Sequence, residues 1–276
     1  MQESAVAIVI LILTGLFTFQ GLRDDKYQDR YAFGIDGILL GKQYDRMVTS
    51  GFLHIGWIHF GFNMIALLSF AYSLEILIGI PKMILLYFGS LIGGSLLALY
   101  VHRNHPDYMA VGASGAVSGV IFASIILFPD KGISLIGLPF EFPRWLLAGL
   151  FIAISIFGIK TGGGNIGHEA HLGGALAGIL LAMFMEPDIA WQNWWMVMFT
   201  LLPISLFVFM IMMNPNTLLI ENYWGDNVEK LKDLTKKREA NAKTVDEILD
   251  KISRKGINSL TKAERKLLDD FNKKNR

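Results

Sequence analysis

Seven apolar runs, nearly free of charge, fill the first 213 residues of this 276-residue chain. Residues 214–276 hold 15 of the 25 basic and 11 of the 24 acidic side chains, although 53% of the whole chain is hydrophobic. A membrane-spanning helix needs about 20 mostly apolar residues, so the pattern predicts an all-α protein that crosses a membrane several times. It excludes a disordered chain and a nucleic-acid-binding protein, and the lack of cysteine excludes a disulfide-stapled domain.

The apolar runs are expected to be helices, because backbone polar groups in hydrocarbon must be paired within their own segment. The first run has no basic residue before it and no small-x-small cleavage site after it, so we interpret it as a span rather than a signal peptide. The fourth and fifth runs are short, and we expect the fourth to be surrounded by the others. The predicted spans are residues 4–22, 52–78, 82–101, 113–128, 145–159, 170–185 and 194–213.

The charged tail, residues 214–276, is predicted to be a separate small unit. Apolar residues recur at helical spacing between Val245 and Ile252. Thr261 followed by Glu264 is typical of a capping box that begins a second helix. A helical hairpin is the favoured interpretation, and a disordered tail is the alternative.

Polar residues inside the spans are the functional candidates, because burying them in a bilayer is costly. Ser114 lies among small residues in Gly112-Ala113-Ser114-Gly115, at the start of the fourth run. Helix starts have unpaired N–H donors, and glycines let a substrate approach closely. This suits a serine nucleophile whose own N–H binds an oxyanion. The alternative is a helix contact, since Gly115 and Gly119 match the close-packing pattern.

His171 begins a second glycine-faced run, in which Gly174 and Gly178 form a close-packing face. Two such faces can pack backbone to backbone and bring His171 within hydrogen-bonding reach of Ser114. A Ser–His pair is sufficient for general-base activation of the serine, and no acidic residue is evidently placed to orient His171. The alternative is a histidine that bonds a neighbouring helix.

His59 and Asn63 lie four residues apart, so they share a helix face on which both can donate hydrogen bonds to an oxyanion. His54 is expected to have a packing or loop-bonding role. Glu75 is expected to hold a loop by hydrogen bonds, and His102 is expected to be solvated in a loop.

A metal site is not supported by the residue spacing. The segment from His168 to His171 is one residue shorter than the His-Glu-x-x-His zinc signature. The spans also lack the two intramembrane aspartates that an aspartyl protease needs. We therefore expect no metal and no cofactor.

Four elements, taken in order, resemble the rhomboid family of intramembrane serine proteases. They are the first-loop stretch Arg46 to His54, then His59-x-x-x-Asn63 with Glu75 and Gly79, then Gly112-x-Ser114-Gly115, and last Ala170-His171-x-x-Gly174-x-x-x-Gly178. The resemblance covers about residues 1–190. Two positions depart from the family pattern: Asp45 replaces a common tryptophan before Arg46, and Ser118 replaces an aromatic that often stacks under the histidine.

The resemblance implies a rhomboid-like six-helix bundle over residues 1–190 as the catalytic membrane core. The apolar run at 191–213 adds a seventh span, and residues 214–276 are the small helical soluble tail predicted above, on which the resemblance has no bearing. The resemblance implies that Ser114 is the nucleophile and His171 the general base. It also implies that His59, Asn63 and the Ser114 N–H form the oxyanion hole. We expect the following residues to support this site: Arg46, His54, Glu75, Gly112, Gly115, Gly174 and Gly178.

The resemblance further implies that the substrates are single-span membrane proteins, cut near one membrane face at a small residue, in the lipid bilayer of a bacterial plasma membrane. No nucleic-acid partner is expected, and the partner of the tail is open. Most bacterial relatives in the family place the dyad near the outer face, whereas the positive-inside rule favours the opposite orientation. Two alternatives are a catalytically silent relative that binds membrane helices and a small transporter with a polar pathway through His59, Asn63 and Glu75.

Overall fold

The computed structural model describes residues 4–134, 141–161, 167–213, 248–254, 256, 259–261 and 264–265. The chain divides into two compact units, Met1–Trp224 and Gly225–Arg276. The first unit is a helical bundle with several apolar helices, which confirms the predicted fold class of an all-α polytopic membrane protein.

The helices of the first unit follow one another with short connections. They are α1 Ala5–Gly21, α2 Asp25–Tyr31, α3 Ile35–Leu39, α4 Arg46–Thr49, α5 Trp57–His102, α6 Ser114–Leu127, α7 Arg144–Thr161, α8 His168–Met185, α9 Pro187–Gln192 and α10 Trp194–Met213. A 3₁₀ turn, Ser50–Phe52, follows α4. Two short antiparallel pairs complete the unit: β1 Phe33–Gly34 with β2 Met109–Ala110, and β3 Ile133–Ser134 with β4 Glu141–Phe142.

The predicted second and third spans form the two halves of α5, which is 46 residues long and breaks at Gly79. Gly79 has φ 78° and ψ 164°, a conformation that L side chains rarely adopt, and Pro81 just beyond it lacks an N–H for the helix. The predicted end of the second span at Gly79 is therefore confirmed. Its predicted start at residue 52 is wrong, because Leu53 after the 3₁₀ turn is extended and the helix begins only at Trp57.

Three helices of the described residues are long and apolar enough to cross a membrane by themselves, namely α5, α8 and α10. Helices α1 and α6 are apolar but shorter, at 17 and 14 residues. The 14 residues of α6 span about 21 Å, less than the roughly 30 Å of a bilayer's hydrocarbon core. Every residue of α6 from Gly115 to Leu127 is buried, as expected for a short span surrounded by others.

Helices α6 and α8 contact each other through their backbones. A Cβ atom added at Gly174 would lie 1.9 Å from the carbonyl oxygen of Gly115, and one added at Gly178 would lie 2.3 Å from that of Gly119. Real Cβ atoms do not approach a neighbouring atom this closely, so only glycine fits at these positions. The two glycine faces of the sequence are therefore the surfaces on which these helices pack.

The second unit contains a helical segment over residues 248–254 and the start of another at Glu264. The predicted capping box is confirmed, because Thr261 N–H donates to Glu264 Oε2 at 2.7 Å and Glu264 N–H donates to Thr261 Oγ1 at 3.3 Å. Hydrogen bonds from Lys251, and then from Thr261, lower the pKa of Glu264 to about 2. The remaining residues of the predicted hairpin lie outside the described residues, and the predicted domain boundaries stay predictions.

Replacing Gly174 by alanine tests the backbone contact between α6 and α8. We expect Gly174→Ala to lower the free energy of unfolding by about 1–3 kcal/mol, because the new methyl group must displace a backbone carbonyl rather than a flexible side chain. The measurement is the midpoint of thermal unfolding in detergent.

Gly61→Ala in α5 is the matched control, since a Cβ there would meet nothing within 4 Å. We expect it to leave the midpoint unchanged or to raise it slightly, because alanine favours a helix over glycine. Equal effects of the two substitutions would contradict the contact.

Candidate active site

One cavity of about 670 Å³ is lined by Ser114, His171, His59 and Asn63. Helices α5, α6, α7 and α8 contribute to its wall, and most of the lining is apolar, including Phe151 of α7. The four candidate residues, which come from three different helices, thus line one cavity.

The nucleophile candidate Ser114 is the first residue of α6 and lies two residues after Gly112, which has a positive φ. Gly112 has φ 139°, and its N–H donates to the carbonyl of Ser50 at 3.0 Å. A Cβ at Gly112 would lie 2.8 Å from Cε1 of His59 and 3.8 Å from Oγ of Ser114. Glycine therefore leaves the space in which the His59 ring lies close to the serine.

The base candidate His171 lies in the first turn of α8. Its ring is 5.8 Å from that of Phe151, with the two planes tilted by 43°, and 5.8 Å from that of His168. Among the described residues no hydrogen bond joins the His171 ring to Ser114 Oγ, and such bonds are often long before substrate binds. Ser118, at the position of the expected aromatic, instead donates to the carbonyl of Ser114 at 2.6 Å.

The oxyanion candidates His59 and Asn63 have donors that are not engaged by the described residues. Asn63 is buried and uses one amide N–H for the carbonyl of His59, at 3.0 Å, which leaves a second N–H. His59 Nδ1 is buried without a hydrogen-bond partner among the described residues. The N–H groups of the first turn of α6, that of Ser114 included, have no acceptor within their own helix.

His54 links α1 to the segment before the nucleophile, which agrees with a loop-bonding role. Ala113 N–H donates to its Nε2 at 3.4 Å, so the ring proton is assigned to Nδ1. That nitrogen donates to Oγ1 of Thr18 at 3.1 Å, and the threonine hydroxyl donates in turn to the carbonyl of Phe52 at 3.3 Å. The His54 ring also contacts that of His59 edge to face, with 4.8 Å between centroids.

Glu75 does not hold a loop, as the sequence suggested, but caps the N-terminus of α1. It accepts hydrogen bonds from the Ser4 hydroxyl, from Ala5 N–H at 3.0 Å and from Val6 N–H at 3.1 Å. Its carboxylate therefore satisfies helix-start donors that would otherwise be unpaired in a membrane.

Arg46 holds the first loop together. Its Nη1 donates to the carbonyls of Asp29, at 2.7 Å, and of Ala32, at 2.9 Å, while Nε donates to the Gln43 side chain. Asp45, which replaces the common tryptophan, forms an ion pair with Arg30 at 3.0 Å.

Two features near the site were not predicted from the sequence. Phe151 contacts His171 from α7, and an apolar residue in an apolar run carries no signal of such a role. His102 was expected to be solvated, but it is buried and its Nε2 lies 2.8 Å from Glu169 Oε1. The only feature of the sequence that pointed to this contact was an acidic residue, Glu169, two residues before His171.

A pair of threonines one turn apart on α1 tests the His54 network. Thr18 and Thr14 are both fully buried, but the Thr14 hydroxyl has no partner among the described residues. We expect Thr18→Val to lower the free energy of unfolding by about 1–3 kcal/mol, because it leaves a buried donor of His54 unpaired. Thr14→Val is expected to be neutral or stabilising, and thermal unfolding of both variants in detergent checks this. If the His54 network does not contribute to stability, the two variants will have the same midpoint of thermal unfolding.

Two family models match segments of this chain. Residues 41–188 match the family model described as the Rhomboid domain, and residues 233–274 match that of a family of unknown function, DUF6576. Rhomboid protein 1, mitochondrial, of Saccharomyces cerevisiae is 32% identical over 150 residues, which are 53% of this chain and 43% of that protein. The putative rhomboid protease YdcA of Bacillus subtilis is 35% identical over 139 residues, 50% of this chain and 65% of that protein.

RHOMBOID-like protein 4 of Arabidopsis thaliana is 28% identical over 198 residues, 65% of this chain and 46% of that protein. The chain thus spans less than two thirds of the length of these curated relatives. The Rhomboid domain nevertheless covers more than half of the chain and includes the four candidate residues Ser114, His171, His59 and Asn63. This chain belongs to the rhomboid family.

Proposed function

We propose that this protein is an intramembrane serine endopeptidase, which hydrolyses peptide bonds in or near the transmembrane segments of other membrane proteins. One observation carries the proposal: a serine at a helix start, a histidine and two further polar side chains from three helices line one cavity in a membrane bundle. Polar groups at this depth are costly, and a catalytic role accounts for them together.

In the proposed reaction Ser114 Oγ attacks the carbonyl carbon of the scissile bond while His171 takes the hydroxyl proton. The histidine then gives that proton to the leaving amine, and an acyl-enzyme remains on the serine. A water molecule, deprotonated by His171, attacks the ester and releases the new carboxyl end. The proton passes back to Ser114 Oγ as the acyl group leaves.

The negative charge on the carbonyl oxygen is proposed to be stabilised by three donors. They are the N–H of Ser114, the second amide N–H of Asn63 and the ring of His59. Donors that are fixed in place before reaction and shielded from bulk water stabilise such a charge more than water does. The fold keeps the Asn63 amide buried and its partner oxygen within the same helix, which fixes the direction of the free N–H.

The substrates are proposed to be single-span membrane proteins. A helical segment has its carbonyls paired internally, so it must unwind locally before Ser114 can reach one, and helix-weakening residues near the cut favour this step. We propose a bacterial plasma membrane as the location, while the similar proteins include both mitochondrial ones and one from Bacillus subtilis.

Cleavage of single-span substrates by the purified protein in liposomes is the direct test. We expect wild-type protein to cut at least one member of a small panel, and Ser114→Ala and His171→Ala each to abolish the cut without a change in thermal unfolding. Ser69→Ala is the matched control, because this serine is on α5 and its hydroxyl bonds its own helix at 2.7 Å. Cleavage that survives Ser114→Ala would contradict the mechanism.

A wild-type protein that binds the substrates and never cuts them, with Ser114 unreactive toward a fluorophosphonate, would favour a catalytically silent membrane-helix binder. Cleavage that stops on addition of a zinc chelator would favour a metal mechanism. Labelling of Ser114 without cleavage would mean that the substrate panel is wrong.

Asn63→Ala tests the oxyanion hole separately from the dyad. Loss of one donor is expected to lower kcat by about 10²–10³-fold, because the interaction forms only as charge develops. KM should change little, since the ground-state carbonyl makes a weaker bond to the same donor. A rise in KM at constant kcat would instead place Asn63 in substrate binding.

A further inference from the structure

Glu169 is a buried carboxylate in the first turn of α8, two residues before His171. Its side chain is 7% exposed and accepts hydrogen bonds from two groups on one oxygen. His102 Nε2 lies 2.8 Å from Oε1, and the Tyr108 hydroxyl donates to the same atom. Its bonds account for its burial, yet the proposed reaction makes no use of it.

These three side chains form one compact group, which we call the Glu169 cluster: His102, Tyr108 and Glu169. The rings of His102 and Tyr108 are stacked, with centroids 3.5 Å apart and planes 9° from parallel. Tyr108 also meets the edge of Phe33 in β1 at 6.2 Å. Stacking restrains both donors, so the position of the carboxylate is fixed on two sides.

The cluster joins the segment that leads to the nucleophile with the turn that bears the base. His102 is the last residue of α5, and Tyr108 directly precedes β2, six residues before Ser114. The Tyr108 carbonyl accepts from Ile35 N–H at 3.3 Å, and β2 pairs with β1, so this segment is anchored on its other side too. A carboxylate in the first turn of a helix is also favoured by the helix dipole.

His171 depends on such anchoring because no carboxylate orients its ring among the described residues. Its ring contacts among the described residues are with Phe151 and His168, and neither is a hydrogen bond. The direction of the imidazole is therefore governed by the placement of its own helical turn. A metal role for the cluster has no support, since the described residues contain no group of three His, Cys, Asp or Glu side chains able to hold an ion.

We propose that Glu169 is a positioning residue that, through His102 and Tyr108, sets the distance between Ser114 and His171. It touches neither substrate nor the reacting atoms. This inference rests on the proposed function, in which Ser114 and His171 are the dyad. In most serine hydrolases a carboxylate bonds the catalytic histidine directly. Here the carboxylate of Glu169 instead fixes the helical turn that carries His171, through its side-chain bonds to His102 and Tyr108.

The test measures the rate at which a fluorophosphonate labels Ser114 in the full-length protein in detergent. Glu169→Met keeps the length of the side chain but removes the acceptor, and Glu169→Gln keeps an acceptor oxygen for both donors. We expect Glu169→Met to label to full stoichiometry with a maximum rate lowered by about tenfold or more, since small misplacements of reacting groups are costly. The probe concentration at half-maximal rate should not change, and Glu169→Gln should restore most of the rate.

Tyr108→Phe removes only the hydroxyl that donates to Glu169, and it replaces Glu169→Met in the labelling test if Glu169→Met does not fold. It should lower the labelling rate in the same direction but by less. Glu186→Gln is the matched control, because Glu186 follows the other end of α8 and pairs with Lys82 at 2.7 Å; its labelling rate should equal that of wild type.

Labelling of Glu169→Met and of Tyr108→Phe at the wild-type rate would overturn the proposal. So would a fall in stoichiometry with an unchanged rate for the labelled fraction, which is the signature of a purely structural role. Failure of wild-type protein to react at Ser114 would refute the proposed function itself, and this outcome is distinct from the other two.

Discussion

The contact between the glycine faces of α6 and α8 is the interaction on which the site depends. Gly115 and Gly119 lie directly against Gly174 and Gly178, so close that no side chain fits between the two backbones. In a membrane, helices gain little from burying apolar surface against each other, and close backbone packing supplies the attraction instead. Because residues three or four apart share a helix face, the same stripe that carries Gly174 carries His171 toward the start of α6, where Ser114 lies.

The hydrocarbon of the membrane also explains the short helix α6 and the capped start of α1, because polar groups there must be paired or covered by protein. Helix α6 can be only 14 residues long because the surrounding helices cover it, and its first turn can then open into a cavity rather than into lipid. Among the candidate site residues, Asn63 and His54 have described hydrogen-bond partners, and Ser114, His171 and His59 line the cavity. Helix α1, which does not reach the cavity, is tied to the rest of the bundle by Glu75 at its start and by the bond of Thr18 to His54, which in turn contacts Ala113.

Local patterns in the sequence predicted the spans, the break at Gly79, the glycine faces and the capping box at Thr261, since each depends on residues a few positions apart. Contacts between distant residues were not predictable in this way. Thr18 meets His54 across 36 positions, and His102 meets Glu169 across 67, and nothing in either local sequence selects the partner. The same holds for Phe151, whose contact with His171 depends on how α7 packs.

The most direct measurement of the central claim is an experimental structure of the protein after reaction with a fluorophosphonate. The account predicts a phosphorus–oxygen bond at Ser114 Oγ and a phosphoryl oxygen directed toward Asn63 Nδ2, the His59 ring and the Ser114 N–H. It also predicts a His171 ring nitrogen within hydrogen-bonding distance of Oγ, with Gly174 still against Gly115. A phosphonyl group on another residue, or a phosphoryl oxygen directed away from Asn63 and His59, would contradict the account.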